Sequence, residues 1–314
     1  MDQNKCTLDC LRKRAKAKYA QNNLMRHMAK LDSPYKEKYD DTMQCSSVLI
    51  QNGDKLTSRY CGHRWCRICN RIRTGKLMNG YKCALESLND PQFLTLTIRN
   101  VKIGELRSSI KGMIKTMRLI QDLRRKRKQP PMKCIRKIEC TYNPDTDEYH
   151  PHLHIIIENE YTAKEVLQEW IHRYPEQAEF KGQDIRSAFD PIELFKYFAK
   201  LTSKSKKDEK RYKGAKLIRD EWHYPEALDL IFRAIEGIRI IQPMGGIKMV
   251  NDDIDDVEVQ EIEGIENDIT IWMFKRNDWY NPQTGELLTG YEPSENEFRY
   301  SHRIRYFADI QNTT

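Results

Sequence analysis

The stretch from Tyr149 to Ile157 constrains the fold of this chain more than any other part of it. It places His150, His152 and His154 at alternate positions and continues with apolar residues. Successive side chains of a β-strand point to opposite faces, so residues two apart share one face. The pattern therefore predicts a strand whose imidazoles can converge on one divalent cation. A core strand with incidental histidines is the alternative, but buried histidines occur singly and need hydrogen-bond partners.

A second strand is predicted just before the histidines. Both Cys134 to Tyr142 and His152 to Glu158 have strand character, and the turn-rich run Asn143 to Asp147 follows the first of them. The two strands should therefore form a hairpin. In that arrangement Glu139 lies beside the imidazoles, and His150 is a further candidate ligand.

A helix is predicted from Asp190 to Leu201, because Asp is a good N-cap and Pro191 a good first helical residue. Within it, Glu193, Tyr197 and Lys200 are spaced to share one face. Tyrosine is a weak nucleophile at its usual pKa of about 10, but a metal-bound phosphate and a nearby ammonium both favour its attack. An ordinary amphipathic helix is the alternative interpretation.

The cysteines suggest a second metal site. Cys61, Cys66 and Cys69 follow a C-x4-C-x2-C spacing, and Cys45 lies sixteen residues before Cys61. The chain shows no signal peptide, which favours a cytosolic protein whose cysteines bind metal or stay reduced. Because structural zinc is held by four soft ligands in a tetrahedron, we predict that these four cysteines bind Zn²⁺. His63 is the substitute for Cys45, and buried inert thiols are the alternative interpretation.

The order of the remaining elements predicts an α+β fold, with an antiparallel sheet and helices packed on its faces. The further elements expected from the sequence are helices over 71–89, 104–128, 161–174 and 224–236, strands over 92–99 and 184–189, a hairpin tip at 52–54, and a strand region over 269–307.

The net charge of +8 understates the basic character of the chain. Residues 251–268 carry nine carboxylates and no Lys or Arg, so the rest of the chain carries +17. Such a charge favours a polyanionic partner, nucleic acid before anionic membrane, and no segment is long and apolar enough to predict a membrane span. The residues expected to contact DNA are Thr95, Thr97, Arg99, Arg124, Arg125 and Lys204.

Three segments, in this order, resemble the motifs of HUH endonucleases. They are Phe93–Thr97, His150–His154, and the group Glu193, Tyr197 and Lys200. More narrowly, the chain resembles the rolling-circle replication initiators of small Gram-positive plasmids, which also carry a C-x4-C-x2-C segment ahead of the first motif. The resemblance covers about residues 45–204.

This resemblance implies a sheet-based palm related to the ferredoxin and RRM folds. It also implies that His152 and His154 bind Mg²⁺ or Mn²⁺ with an acidic partner, for which Glu139 is the candidate. Tyr197 would attack single-stranded origin DNA and form a 5′-phosphotyrosyl link, with Lys200 as a further catalytic residue. Glu193 would activate water to end the cycle, in place of the second tyrosine of a two-tyrosine branch. Host helicase and polymerase would be the protein partners.

The sequence, together with the resemblance over its middle part, predicts four segments. We expect a basic and exposed helical arm over 1–44, a zinc-binding segment over 45–89, the HUH catalytic domain over 90–216, and a C-terminal region over 217–314. The basic stretch 204–216 is expected to be a mobile loop.

Other function classes stay open. The run His150-x-His152-x-His154 also fits histidine-triad nucleotide hydrolases, in which the middle imidazole would be the nucleophile and no metal would be needed. Pro151, the cysteine segment and the predicted tyrosine helix argue against that class. A zinc-stabilised DNA-binding protein without catalytic activity is a third class. A transposase or mobilisation relaxase with the same core is the closest rival.

Overall fold

The structure is a computed structural model that describes residues 8–53, 55–188, 194, 203–210, 218–249 and 269–311. The chain divides into two compact units. The terminal unit combines Met1–Arg73 with Asp253–Thr314, and the central unit is Thr74–Asp252. These units differ from the segments expected from the sequence, because the cysteine segment groups with elements from both ends of the chain.

The central unit is built on a five-stranded antiparallel sheet, which confirms the predicted α+β fold. Its strands lie in the order β6-β3-β5-β4-β9. Their bounds are β3 Gln92–Thr97, β4 Cys134–Asn143, β5 Glu148–Ile157, β6 Asp184–Ser187 and β9 Ile241–Met244. The histidine hairpin is therefore formed by β4 and β5, at the centre of the sheet.

Helices of the central unit agree with the periodicity of the sequence. Their bounds are α4 Ile103–Lys126, α5 Glu160–Arg173 and α6 Pro225–Ala234, and α3 Arg67–Glu86 contains the boundary between the units. The Asn159 side chain caps α5 by accepting a hydrogen bond from the Thr162 amide. The α6 helix begins with Pro225. Its missing N–H costs no hydrogen bond, because the first N–H groups of a helix have no partner within the helix.

One expectation for this unit was wrong. The basic stretch expected as a loop over 204–216 begins with β7 Ser203–Lys210, which pairs with β8 Ile218–Trp222 in a separate two-stranded sheet. The pairing has a register shift between Lys204 and Glu209. The strand consists of Ser, Lys, Asp and Glu alone, so no alternation of apolar residues predicts it.

The two faces of the five-stranded sheet have different side chains. Leu94, Leu96, Leu153 and Ile155 point to one face and are fully buried, and α4 and α5 contact β5 and β3. Burial of these aliphatic side chains is the main stabilising contribution of this core.

The opposite face is apolar at only one end. There, Phe93, Ile135 and Ile156 from three adjacent strands pack against Tyr81 and Leu85 of α3. Side chains two residues apart along a strand point to the same face. Beyond this cluster, the side chains that the strands place on this face are polar. This face carries the candidate active site.

The terminal unit has its own four-stranded antiparallel sheet, in the order β11-β10-β1-β2. Its elements are α1 Leu8–Met28, α2 Lys36–Gln44, β1 Val48–Asn52, β2 Lys55–Ser58, β10 Ile269–Lys275, β11 Asp278–Tyr280, α7 Glu295–Ser301 and α8 Phe307–Gln311. The expected hairpin between β1 and β2 is present. The expected strand region over 269–307 is only partly correct, because helices follow β11.

The expectation of an exposed N-terminal arm is also wrong for the described residues. The α1 helix buries Leu11, Ala15, Leu24, Met25 and Met28. Ala15 packs in a cluster with Leu49, Trp272 and Trp279, so α1 belongs to the core of the terminal unit. The many lysines and arginines of this helix hide its buried face from sequence analysis.

Within the described part of the chain, no helix is both long enough and apolar enough to span a membrane.

Candidate active site and metal centres

The hairpin register brings the predicted carboxylate to the histidines. In the pairing of β4 with β5, Glu139 lies opposite His152 and Lys137 lies opposite His154. The Oε2 atom of Glu139 is 3.5 Å from His152 Nε2 and 3.4 Å from His154 Nε2. These three residues, here called the triad, form one group whose donor atoms all lie within 4.8 Å of one another.

The donor set of the triad fits a divalent cation. Metal–ligand bonds of about 2.1 Å place neighbouring ligands about 3.0–3.5 Å apart, depending on whether the geometry is octahedral or tetrahedral. The two carboxylate-to-imidazole distances of 3.4 and 3.5 Å fall in this range. One carboxylate and two imidazoles suit Mn²⁺ and other first-row divalent ions better than Mg²⁺, which prefers oxygen ligands.

Each histidine of the triad is oriented through its other ring nitrogen. His152 Nδ1 lies 3.1 Å from the carbonyl oxygen of His150, and His154 Nδ1 lies 3.2 Å from Thr95 Oγ1. A carbonyl only accepts hydrogen bonds, so the Nδ1–H of His152 donates to it, and Nε2 is the nitrogen that a bound metal would use. Thr95, expected to bind DNA, instead positions His154.

A buried lysine that sequence analysis missed completes the site. The Lys137 side chain is only 3% exposed, and its Nζ lies 2.6 Å from Glu139 Oε1. Burial by itself raises the pKa of Glu139, but hydrogen bonds from His152 and His154 and the Lys137 charge outweigh burial and hold that pKa well below its usual range. Lys137 occupies one carboxylate oxygen, which leaves the other for the imidazoles.

His150 lies beside the triad but outside it. Its ring is 5.3 Å from that of His152, and its Nδ1 is 3.0 Å from Asn100 Oδ1. Burial, and then the neighbouring His152, lowers the pKa of His150 to about 4. His150, the expected further ligand, therefore contacts Asn100 instead of joining the triad. It is a neutral imidazole at pH 7.

The predicted tyrosine helix lies outside the described residues, including Glu193, Tyr197 and Lys200. Leu194 is the one described residue of that stretch, and it is buried in the cluster formed by Phe93, Ile135 and Ile156. Phe93 is two residues from Thr95 on β3, and Ile156 is two residues from His154 on β5. Leu194 therefore packs on the sheet face that carries the triad.

The expected DNA contacts on β3 and beyond it have partners in the central unit. Thr97 Oγ1 donates to the Gly182 carbonyl over 3.1 Å. Arg99 lies 3.4 Å from Glu179 but remains two-thirds exposed, with 66% of its side chain accessible. Arg99 is therefore accessible to a ligand, whereas the Thr97 hydroxyl is engaged in the fold.

The expected DNA contact at Arg124 needs correction. Its side chain is only 7% exposed, forms an ion pair with Glu165, and donates to the Pro130 carbonyl. This arginine links α4 to α5 instead of facing solvent. Arg125, in contrast, is 79% exposed, and Lys204 lies on β7.

The four predicted cysteines come together in the terminal unit. Cys45, Cys61, Cys66 and Cys69 form one group, with Sγ–Sγ distances of 3.5 Å for Cys45–Cys66, 3.6 Å for Cys45–Cys69 and 3.7 Å for Cys61–Cys69. A disulfide needs about 2.05 Å, whereas a tetrahedron with Zn–S bonds of about 2.3 Å has edges of about 3.8 Å. The group therefore fits zinc.

Backbone amides support negative charge on this sulfur group, here called the cysteine cluster. The Gly62 amide donates to Cys69 Sγ over 3.3 Å, and the Cys61 amide donates to Cys45 Sγ over 3.4 Å. Hydrogen bonds from Cys45, Cys61 and Cys66 hold the pKa of Cys69 well below its usual range. His63, the substitute ligand, stacks on Trp65 instead.

The triad gives the central unit a donor set that fits a divalent cation, and comparison with known proteins gives its family. A sequence model described as "Replication protein" matches residues 55–271, more than half of the chain. This protein therefore belongs to the replication-protein family, which confirms the resemblance drawn from its motifs.

Several curated relatives carry the name Protein rep. One from a Bacillus species is 30% identical over 142 residues, covering 41% of this chain and 46% of the relative. Another, from Staphylococcus aureus, is 29% identical over 126 residues, covering 36% of this chain and 54% of the relative. The chain thus spans about half the length of these relatives. No solved structure gives a significant match.

Proposed function

We propose that this protein initiates rolling-circle replication of a plasmid by nicking single-stranded DNA at the origin. The observation that carries the proposal is the triad, in which one carboxylate oxygen faces two correctly oriented imidazoles on the central hairpin. Membership of the replication-protein family supports DNA as the substrate. This activity would belong to the cytoplasm.

In the proposed reaction, Glu139, His152 and His154 hold the divalent cation. When bound there, Mg²⁺ or Mn²⁺ polarises the scissile phosphate as a Lewis acid. The phenolic oxygen of Tyr197 attacks the phosphorus, and the bond to the 3′ oxygen breaks. The 3′ oxygen takes up a proton and becomes the hydroxyl that primes synthesis, while the 5′ phosphate stays on Tyr197. The Lys200 ammonium favours the phenolate.

The proposal assigns termination to Glu193. A carboxylate one helical turn from the nucleophile can take a proton from water, and the resulting hydroxide would hydrolyse the phosphotyrosyl link. A host helicase would unwind the duplex, and a host polymerase would extend the free 3′ end. The burial of Leu194 on the triad face supports this assignment, because the neighbouring Glu193 belongs to the same stretch.

The cysteine cluster has a structural role in this proposal. Its four sulfur atoms would hold Zn²⁺, which contributes folding energy to the terminal unit and takes no part in the chemistry.

An adduct assay tests the proposed function. The full chain is incubated with a labelled single-stranded oligonucleotide from the origin of its own replicon, with and without Mn²⁺, and the products are separated under denaturing conditions. We expect a metal-dependent covalent adduct and a free 3′-hydroxyl fragment. Tyr197→Phe should lose both while keeping DNA affinity within a few-fold, because only the attacking oxygen is removed.

The same assay separates the competing functions. A histidine-triad hydrolase would act on nucleotides without added metal and would leave no adduct on Tyr197. A non-catalytic DNA-binding protein would form no adduct at all. A transposase or relaxase would form the adduct on the ends of its own element instead of the replication origin. Absence of any adduct on wild-type protein with Mn²⁺ would refute the proposal.

A further inference from the structure

A cleft in the terminal unit lies outside the triad and outside the cysteine cluster. Its volume is about 560 Å³, within the range of about 300–1,000 Å³ that is usual for ligand sites. Its walls come from α1, the first turns of α3, the segment before α7, and α7 itself. Every lining residue belongs to the terminal unit, so the cleft is a feature of one compact body.

Four basic side chains line the cleft. Lys13 and Lys16 lie on α1, while Arg67 and Arg71 lie one turn apart on α3. A hydrogen bond links the Arg67 side chain to Tyr300, but the buried Nε atom of Arg67 has no acceptor among the described residues. A buried N–H group without an acceptor is unfavourable, so this atom indicates that an anionic ligand supplies the missing acceptor.

Two carboxylates neutralise part of this charge without filling the cleft. Asp9 pairs with Lys13 at 2.6 Å, and Glu297 pairs with Lys16. Both lysines remain more than half exposed. Arg71 donates to the Lys13 carbonyl over 3.0 Å, and no ion pair joins it to an acid among the described residues.

Three tyrosines also line the cleft. The rings of Tyr19 and Tyr291 lie edge to face, with their centroids 6.3 Å apart. Tyr300 on α7 remains 36% exposed. Ala17 and Ala20 on α1 also line the cleft, and their small side chains take up little of its volume. Cations beside aromatic faces are the combination that binds single-stranded nucleic acid, through phosphate contacts and base stacking.

We propose that this cleft binds one nucleotide unit of single-stranded DNA, with its phosphate on Arg67 and Arg71 and its base against Tyr300. The site goes beyond the proposed function, because it would be a second DNA contact that takes no part in nicking. In this proposal the cysteine cluster positions the DNA-binding arginines. Cys66 and Cys69 flank Arg67 at the start of α3, so a metal on their sulfur atoms fixes the end of the helix that carries both arginines.

The test measures DNA affinity of the full chain without added divalent metal, so that the triad contributes no metal-bridged contact. The probe is a fluorescein-labelled oligothymidylate without origin sequence, followed by anisotropy over a salt series. We compare wild type with Lys13→Ala/Arg71→Ala, which removes two exposed cations of the cleft. The matched control is Lys111→Ala/Lys115→Ala, which removes two exposed lysines of α4 in the central unit.

Each lost phosphate contact on a single strand should reduce the slope of log K against log salt by about 0.7. The cleft double variant removes Arg71 from the phosphate contact, so it should lose about 0.7 in slope and about 5-fold in affinity at 0.1 M salt. The α4 control should stay within about twofold of wild type, since scattered surface charges make no fixed contact. Equal losses in the two double variants would overturn the proposal.

Stacking is tested separately at Tyr300. Tyr300→Ala should weaken the single-stranded probe about tenfold, whereas the exposed control Tyr161→Ala should bind like wild type. A duplex probe should not respond to Tyr300→Ala, because its bases are already stacked. Loss of duplex binding alone would overturn the single-strand assignment.

Photo-crosslinking locates the contact directly. An oligonucleotide with 5-iodouracil should crosslink to Tyr300 or Tyr19, as identified by peptide mass spectrometry, and crosslinks confined to the central unit would overturn the proposal. The adduct assay with wild type is run in parallel on origin DNA. A protein that nicks normally but shows no cleft effect refutes this inference alone, and a protein that binds through the cleft but never nicks refutes the proposed function alone.

Discussion

Removal of the Glu139 carboxylate should destabilise the central unit as well as remove a metal ligand. In Glu139→Gln, the shape of the side chain is kept but the buried Lys137 ammonium loses the oxygen that lies 2.6 Å away. At an effective dielectric of about 20, the attraction across that distance is about 6 kcal/mol. Breaking a buried ion pair by removing one partner typically costs about 3–5 kcal/mol.

An upper limit follows from the lysine itself. The unpaired Lys137 can lose its proton, which from a usual pKa of about 10.4 costs about 5 kcal/mol at pH 7. Burial already lowers the pKa of Lys137 in the wild type, and Glu139 opposes that shift. Without the carboxylate this pKa falls further, so the unfolded chain binds more protons than the folded chain between the two pKa values. Stability of the variant relative to wild type should therefore rise as pH increases from 7 towards 10.

A double-mutant cycle separates the ion pair from the metal site. We expect Glu139→Gln to lose about 3–5 kcal/mol, Lys137→Met to lose a comparable amount, and Glu139→Gln/Lys137→Met to recover most of it, because no buried charge is then left unpaired. Hydrogen exchange of the β4 and β5 amides, measured with urea unfolding, reports this unit specifically. The double variant should still fail to bind Mn²⁺. Unchanged exchange in Glu139→Gln, or no recovery in the double variant, would refute the ion-pair argument.

Three further predictions concern the two metal centres and the proposed termination step. His152→Ala and His154→Ala should each weaken Mn²⁺ binding by about 10-fold or more and abolish the metal-dependent adduct, as measured by electron paramagnetic resonance of free Mn²⁺; normal binding in either variant would contradict the triad assignment. Wild-type protein should retain about one zinc per chain after dialysis by elemental analysis, and Cys66→Ser/Cys69→Ser should lose the metal together with solubility; wild type without zinc would exclude the site. Glu193→Ala should still form the covalent adduct but release it about 10²-fold more slowly, so that the adduct accumulates above the wild-type level in a time course, and Glu193→Tyr should restore release by transfer to residue 193. If Glu193→Ala loses nicking and attachment together, Glu193 has another role.

The hairpin and the cysteine cluster were predictable because local patterns specify them. Alternation identified β5, and a short turn fixed its pairing with β4, so Glu139 could be placed beside the histidines. The spacing of Cys61, Cys66 and Cys69 likewise indicated one cluster. In both cases the relevant residues are close in sequence or share a strand face, and the period of the secondary structure gives their relative positions.

Lys137 shows the limit of that reasoning at the site itself. Its position two residues before Glu139 places both side chains on one face of β4, and this signal was present in the sequence. A lysine is rarely buried, so the pattern alone favoured a solvent-exposed charge. The contact becomes apparent only when the neighbouring strands exclude water from the Lys137 side chain.

The terminal unit could not be predicted because long-range pairing creates it. β1 pairs with β10, which joins Val48 to Met273 across more than two hundred residues, and no local period reports such a partner. The proposed DNA cleft depends on the same closure, since Lys13, Arg67 and Tyr300 line it from three distant parts of the chain. Each of these residues taken alone resembles an ordinary solvated side chain. Their chemistry therefore arises only after the two ends of the chain have folded into one unit, which is why the test of the cleft must use the full chain.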